Sequence, residues 1–383
     1  MARIALVSQI MLGHMIPALD LGAELARRGH QVSVLAPRQH QGLIEEAGLI
    51  FVEIGLYTIP HKYIGELFAE VDEFIKRTSI DLLICDSALA APAYAAELHG
   101  IPWVSFQTTV PLPDHLVPGG ERLNSRLREL YEKQLNTVRL QHGLPALTDK
   151  KRTRGDFAGL SGQLHLLMVI PEMIPDWANL PEPSRIVGIC SYDGDEESNW
   201  IDLDSEDPVI LVCSSSVQRA EFVQMIQHYL HTAVEAFSHK PYKLVVTHHE
   251  PYQGEEPLPD NVLWVTDYPV HSRLMPQADI VITHGGCGTL QKSLKYGVPM
   301  VIIPLGADHP FLAEHCESLG VAKVLTPEQV TVATMEATVK SILGDSSYRR
   351  NAQRIASYIY DHAPCKTSAD YVEALLGETK IVV

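Results

Sequence analysis

Six consecutive residues, His284-Gly285-Gly286-Cys287-Gly288-Thr289, carry the most specific chemistry in the chain. They follow an apolar run, Ile280 to Thr283, that reads as a buried strand. They precede a polar segment, Leu290 to Tyr296, that reads as the start of a helix, with Gly297 as its stop. Strand, glycine-rich turn and helix together form an anion-binding arrangement. The glycines let the backbone come close, and the first helical amides point at the negative charge. His284 and Thr289 add side-chain donors at the same point. The segment is therefore predicted to bind a phosphate or diphosphate. Two other readings exist: a plain tight connection, and a dinucleotide fingerprint. The fingerprint needs a third glycine where Gln291 stands.

Other residues could act but are less specific. His14 sits in a Gly-His turn directly after the first apolar run, where a histidine can cap a helix, lie in solvent or move a proton. Asp86 follows the run Asp81–Cys85 and precedes a helical pattern, a position that also suits an N-cap. Asp308 and His309 follow the run Met300–Pro304. The triplet His248-His249-Glu250 suggests a metal, but adjacent histidines at a strand end are expected to point to opposite faces, so no metal site is assigned there. The six cysteines (85, 190, 213, 287, 316 and 365) are scattered with no close pair. That spacing argues against a zinc or disulfide framework and for a reducing cytoplasm.

The elements that must position these groups alternate. Strands are predicted at Arg3–Val7, Gln31–Leu35, Asp81–Cys85, Trp103–Phe106, Leu164–Val169 and Arg185–Ile189. Helices are predicted at Ile16–Arg28, His40–Ala47, Ala88–Leu98 and Glu121–Leu140. Ser191–Asp207 is polar, acidic and without period, and reads as a linker. The rhythm then restarts, with strands at Val209–Cys213, Lys243–Thr247, Val262–Val265, Ile280–Thr283 and Met300–Pro304 and a long helix at Gln218–Ser238. Two α/β domains with parallel sheets are expected, 1–195 and 207–360, facing each other across a cleft. The last helical patterns, Tyr348–Asp361 and Thr367–Leu376, suggest that a C-terminal helix within 361–383 packs back on the first domain.

Composition narrows the partners. The 383 residues are 46% hydrophobic and 20% charged, an ordinary globular balance. A formal net charge of −17 disfavours nucleic acid and anionic lipid as main partners. No apolar run has membrane-spanning length, and the N-terminus reads as a strand rather than a signal peptide.

The run from His284 through Gly297-Val298-Pro299 to Asp308-His309 resembles the donor-binding signature of the family-one nucleotide-sugar glycosyltransferases. The opening Gly13-His14-Met15-Ile16-Pro17, followed by Leu25-Ala26-Arg27-Arg28-Gly29-His30, is similar to that family's start. The bacterial members that modify antibiotics, pigments and other small aglycones are nearest in style. The resemblance implies the GT-B fold, two Rossmann-like domains with the donor bound by the second and the acceptor by the first. It implies that His14 is the general base and Asp86 its orienting carboxylate. The donor diphosphate would meet Ser216, His284, Thr289 and the amides near Gly286, Cys287 and Gly288. Tyr268 would lie against the base, Lys292 at the ribose, and Asp308 with His309 at the sugar. Lys292 and His309 depart from the family's usual Glu and Gln.

The reading is then an inverting transfer from a UDP- or dTDP-sugar to a hydroxyl of a small, largely apolar acceptor. The acceptor pocket would be shaped near Pro60–Tyr63, Phe106–Leu112 and the helix after Gly120. The nucleoside diphosphate sugar is a co-substrate. Neither a further cofactor nor a metal is called for, because helix amides and His284 are expected to supply the positive field. A nucleotide-sugar epimerase on the same fold and a non-catalytic glycosyltransferase-like partner remain the alternatives.

Overall fold

The computed structural model describes residues 1–55, 63–117, 120–176, 178–192, 203, 205–215, 220–254, 257–266 and 269–381. The chain forms two compact units, Met1–Tyr192 with Ala363–Val383, and Asp193–His362.

The first unit contains β1 (Arg3–Val7), α1 (Leu12–Arg27), β2 (Gln31–Ala36), α2 (Gln41–Glu46), β3 (Ile50–Glu53), α3 (Ile64–Thr78), β4 (Leu82–Asp86), α4 (Ala90–Leu98), β5 (Trp103–Gln107), α5 (Gly120–Gln141), β6 (Leu164–Leu167) and β7 (Ser184–Ile186). Its seven strands run in the order β3-β2-β1-β4-β5-β6-β7, and every pairing is parallel. Both faces of such a sheet must be covered. Ile4 and Leu6 pack on one face with Leu19, Leu21 and Leu25 of α1. Ala5 and Val7 pack on the other with Leu67 and Phe68 of α3 and Tyr94 of α4.

The second unit contains β8 (Val209–Cys213), α6 (Ala220–Phe237), β9 (Lys243–Thr247), β10 (Val262–Val265), α7 (His271–Leu274), β11 (Ile280–Thr283), α8 (Cys287–Lys295), β12 (Met300–Ile302), α9 (His309–Ser318), β13 (Ala322–Val324), α10 (Val332–Gly344) and α11 (Ser346–His362). Its six strands are again parallel, in the order β10-β9-β8-β11-β12-β13. Tyr229, Leu230, Ala233 and Phe237 of α6 and Met335 and Val339 of α10 pack with Ile210, Val212, Ile280 and Ile282 of the central strands.

The last helix, α12 (Pro364–Ile381), belongs to the first unit and packs on α1. Ala369, Val372 and Leu376 enter the core beside Leu19 and Leu25. Arg28 ties the two helices, with Nη1 donating to Asp370 Oδ1 (2.6 Å) and Glu373 Oε2 (2.7 Å).

Strand order fixes where chemistry can happen. In each sheet the connections change direction at one place, between β1 and β4 in the first and between β8 and β11 in the second. Loops beyond the C-terminal ends of two such strands diverge and leave a crevice. Register brings the strand ends level, with Val7 beside Cys85 and Thr283 beside Cys213.

Among the element readings that change, β7 is Ser184–Ile186 rather than Arg185–Ile189, and α3 was not predicted. α1 starts at Leu12, not Ile16, because Pro17 stands inside the first turns rather than at the helix start. Most of the linker predicted over Ser191–Asp207 lies outside the described residues.

Candidate active site

In the first unit, β1 ends at Val7 and β4 ends at Asp86, side by side at the direction change. His14, on the first turn of α1, returns toward this point. Its Nδ1 stands 2.7 Å from Asp86 Oδ2. The carboxylate is 2% exposed, so it needs donors to stay charged. It has them: Oδ1 accepts from Gln9 Nε2 (3.1 Å) and from the Ala88 amide (2.9 Å), while Oδ2 faces the imidazole. Asp86 does not cap α4, whose N-cap is Leu89.

An ionised Asp86 holds the imidazole proton on Nδ1, which leaves the Nε2 lone pair as the basic one. Gln9 Nε2 and Thr108 Oγ1 also approach Nδ1, at 3.2 and 3.3 Å. Gln9 was missed in the sequence, and Thr108 was covered only as part of the Phe106–Leu112 acceptor segment. Their signal was positional: each follows an apolar strand segment as a polar residue at a parallel strand's C-terminal end. The His14 side chain keeps 20% of its surface exposed, enough for an acceptor to reach it. Arranged this way, the pair can take a proton from a hydroxyl and stabilise the imidazolium that results.

In the second unit, β11 delivers His284 and α8 begins three residues later. Gly285 has φ +88°, a conformation that side-chain-bearing residues rarely adopt, and a Cβ there would crowd Ile302 and His309. Gly286 is the N-cap of α8. A Cβ on it would stand 2.5 Å from His284 Nε2, so the glycine makes room for the ring. The Thr289 and Leu290 amides both bond back to the Gly286 carbonyl. The amides of Cys287 and Gly288 precede any intrahelical acceptor, as in every helix start. Helix starts of this kind are suited to anions in general.

His284 is 6% exposed, and its Nδ1 is buried without a hydrogen-bond partner among the described residues. Such a group in a protein interior marks a place for a ligand or water. Burial, with His309 and His271 nearby, pushes its imidazole down to about 3. His284 is therefore neutral near pH 7, and the expected positive field from this side chain is corrected to a neutral N–H dipole. His309 opens α9 with its ring edge-on to His284, the centroids 5.2 Å apart. Asp308 holds the N-cap position of α9 without a side-chain cap bond. His284, Thr289, Asp308 and His309 thus gather around the starts of α8 and α9.

Lys292, on α8, is 7% exposed and so is not a solvated helix residue. Its charge acts on His271, whose imidazole burial already pushes down to about 3, and on the Cys213 thiol at the end of β8. Ser216 and Tyr268 lie outside the described residues, as do Pro60, His61 and Lys62 of the expected acceptor loops. Phe106, Val110 and Leu112 are buried.

One geometric expectation fails. His248 and His249 do not point to opposite faces; their ring centroids are 4.3 Å apart. β9 ends at Thr247, so strand alternation no longer governs the pair. His248 Nδ1 meets the backbone N–H and carbonyl of Glu250, at 3.1 and 3.3 Å.

The chain is similar to known proteins over most of its length. Residues 236–373 match the family described as erythromycin biosynthesis protein CIII-like, C-terminal domain, and residues 17–137 match a glycosyl transferase 4-like domain. A 4'-demethylrebeccamycin synthase from Lentzea aerocolonigenes is 24% identical, over 98% of this chain and 100% of its own. The solved glycosyltransferase of kitacinnamycin superposes with a TM-score of 0.78 at 22% identity, covering 97% of this chain and 98% of that one. The glycosyltransferase VinC, solved in complex with dTDP, superposes with a TM-score of 0.73 at 19% identity, covering 98% and 100%.

Proposed function

We propose that this chain, a glycosyltransferase of the GT-B fold, moves a sugar with inversion from a nucleoside diphosphate sugar to a hydroxyl of a small, largely apolar natural-product acceptor. The observation that carries the reading is the 2.7 Å contact between His14 and a buried, fully bonded Asp86 at the direction change of the first sheet.

The acceptor oxygen attacks the anomeric carbon while His14 Nε2 takes its proton. The bond from that carbon to the diphosphate oxygen breaks as the new one forms. A hydroxyl is a poor nucleophile, so removing the proton during attack lowers the barrier. Asp86 stabilises the imidazolium and does not itself take the proton. The only nucleophile in this scheme is the acceptor, so the displacement is single and the configuration inverts. Negative charge grows on the departing diphosphate. The Cys287 and Gly288 amides, His284 and Thr289 are placed to receive it.

Lys292 and the relatives favour a thymidine nucleotide. A lysine donates but cannot accept from ribose hydroxyls, which weakens the case for a uridine donor. VinC and a spinosyn rhamnosyltransferase were both solved with thymidine diphosphate.

The test is a panel of apolar hydroxylated acceptors offered with UDP- and dTDP-sugars, read by product mass and by the anomeric configuration of the product. An acceptor carrying one added sugar of inverted configuration is expected. Retained configuration overturns the single displacement. Sugar nucleotide altered without any acceptor product points to an epimerase instead.

A further inference from the structure

The chain leaves the first unit after Tyr192 and re-enters it at Ala363. Three side chains from separate segments of that unit meet beside these two crossings. They are Asp20 of α1, Cys190 of the segment after β7, and Cys365 of the first turn of α12. The carboxylate oxygen and the two sulfurs lie within 4.8 Å of one another. Cys190 is 1% exposed, while Asp20 and Cys365 are half-buried.

The surroundings hold the three groups in place. Asp20 Oδ2 accepts from the Ser191 amide at 2.7 Å. Ser368 Oγ stands 3.7 Å from Cys190 Sγ and donates to the Pro364 carbonyl at 2.8 Å. Gly188, with φ +89°, lets the end of α12 come this near, since a Cβ there would stand 2.9 Å from the Pro364 ring.

We propose that Asp20, Cys190 and Cys365 bind a divalent transition-metal ion of the zinc class, with solvent as a fourth ligand on the half-exposed side. Two thiolates and a carboxylate suit zinc, whose bonds of about 2.0–2.3 Å place ligand atoms roughly 3.5 Å apart. Small side-chain rotations bring the three atoms to that spacing. Each cysteine binds as its thiolate, so uptake of the ion releases two protons to solvent. The Ser191 amide orients the carboxylate from outside the ligand set. A disulfide between the sulfurs would use neither the carboxylate nor its orientation, which is why the metal is favoured. The ion would fasten α1, the segment leaving the unit and the helix returning to it. The His248-His249-Glu250 cluster differs in kind: its three groups are adjacent in one loop, and His248 Nδ1 already meets the backbone.

The test uses the full chain, reduced and stripped with a chelator, then titrated with Co²⁺. A thiolate-to-cobalt charge-transfer absorption that saturates at one equivalent is expected. Cys190→Ser and Cys365→Ser should each abolish it, Asp20→Asn should weaken affinity by about tenfold or more, and His248→Ala should leave it unchanged. Wild type supplies a measurement that needs no variant: Zn²⁺ should protect the half-buried Cys365 from alkylation, mapped by peptide mass. No charge-transfer band, a band that survives Cys365→Ser, or equal alkylation with and without zinc overturns the proposal. So does a Cys190–Cys365 disulfide that forms in air at the same rate whether zinc is present or not.

Discussion

The His14–Asp86 contact sets what substitutions at these positions do. His14→Ala should lower turnover by about 10²–10⁴-fold, the usual worth of a positioned base. Binding of the free nucleoside diphosphate should barely change, because the ligands proposed for it lie on the other unit; calorimetry checks this. Asp86→Asn should lose a similar factor, and the double variant little more, since the pair acts as one unit. Turnover near wild type for His14→Ala at saturating acceptor would refute the base assignment. His284→Ala should weaken diphosphate binding by roughly 1.5–3 kcal/mol, a neutral N–H to a charged phosphate still being charge-assisted. The unphosphorylated nucleoside should lose nothing, and equal losses would remove His284 from the phosphate. Lys292→Glu tests the donor: the ratio of kcat/KM for UDP-glucose over dTDP-glucose should rise by about one to two orders of magnitude. An unchanged strong uridine preference sinks the idea. The pairing of His14 with Asp86 was implied by the family resemblance alone; nothing in residue type or spacing links the two. A separation of 72 residues is bridged only by the parallel register of β1 and β4.

Among the elements, the strands most legible in sequence are the buried ones. β1, β8, β9, β10 and β11 fall where the apolar, β-branched runs place them. β13 (Ala322–Val324) escaped notice because it is a three-residue edge strand with Lys323 at its centre, while β3 (Ile50–Glu53) does carry the apolar run Leu49–Val52 and was simply not assigned. The glycine loop was legible because its physics is local: a positive φ at Gly285 and a helix start at Cys287 need no distant partner. The Lys292 environment was not, because its neighbours come from β8 and α7. α12 also carries a measurable share of the first unit's stability. Val372 is fully buried beside α1, so Val372→Ala should cost about 1–3 kcal/mol in urea unfolding followed by probes in that unit. A cost below about 0.5 kcal/mol would mean that α12 docks loosely.

At the scale of the molecule, buried neutral histidines set the acid limit of the fold. Burial pushes His284 and His271 down to about 3, and His165, in the first unit, to about 4. On unfolding each returns toward its ordinary 6.5, so between those values the unfolded chain binds more protons. Stability should therefore be full above about pH 6.5 and fall steadily as pH drops toward 4. Urea midpoints across that range check the slope, and a flat profile would mean that these rings are not held neutral. The double crossing of the chain also has a consequence for the order of synthesis. Helix α12, which covers α1, leaves the ribosome after the whole second unit. Roughly 170 residues separate Tyr192 from Ala363, about 10–35 s of translation at ordinary rates. During that interval Leu19 and Leu25 lack Val372 and Leu376 as their cover. A nascent chain stalled at His362 should show a protease-resistant second unit and a cleavable first one. The first unit is thus begun before the second and completed after it, and a chaperone that shields α1 has about 10–35 s in which to act.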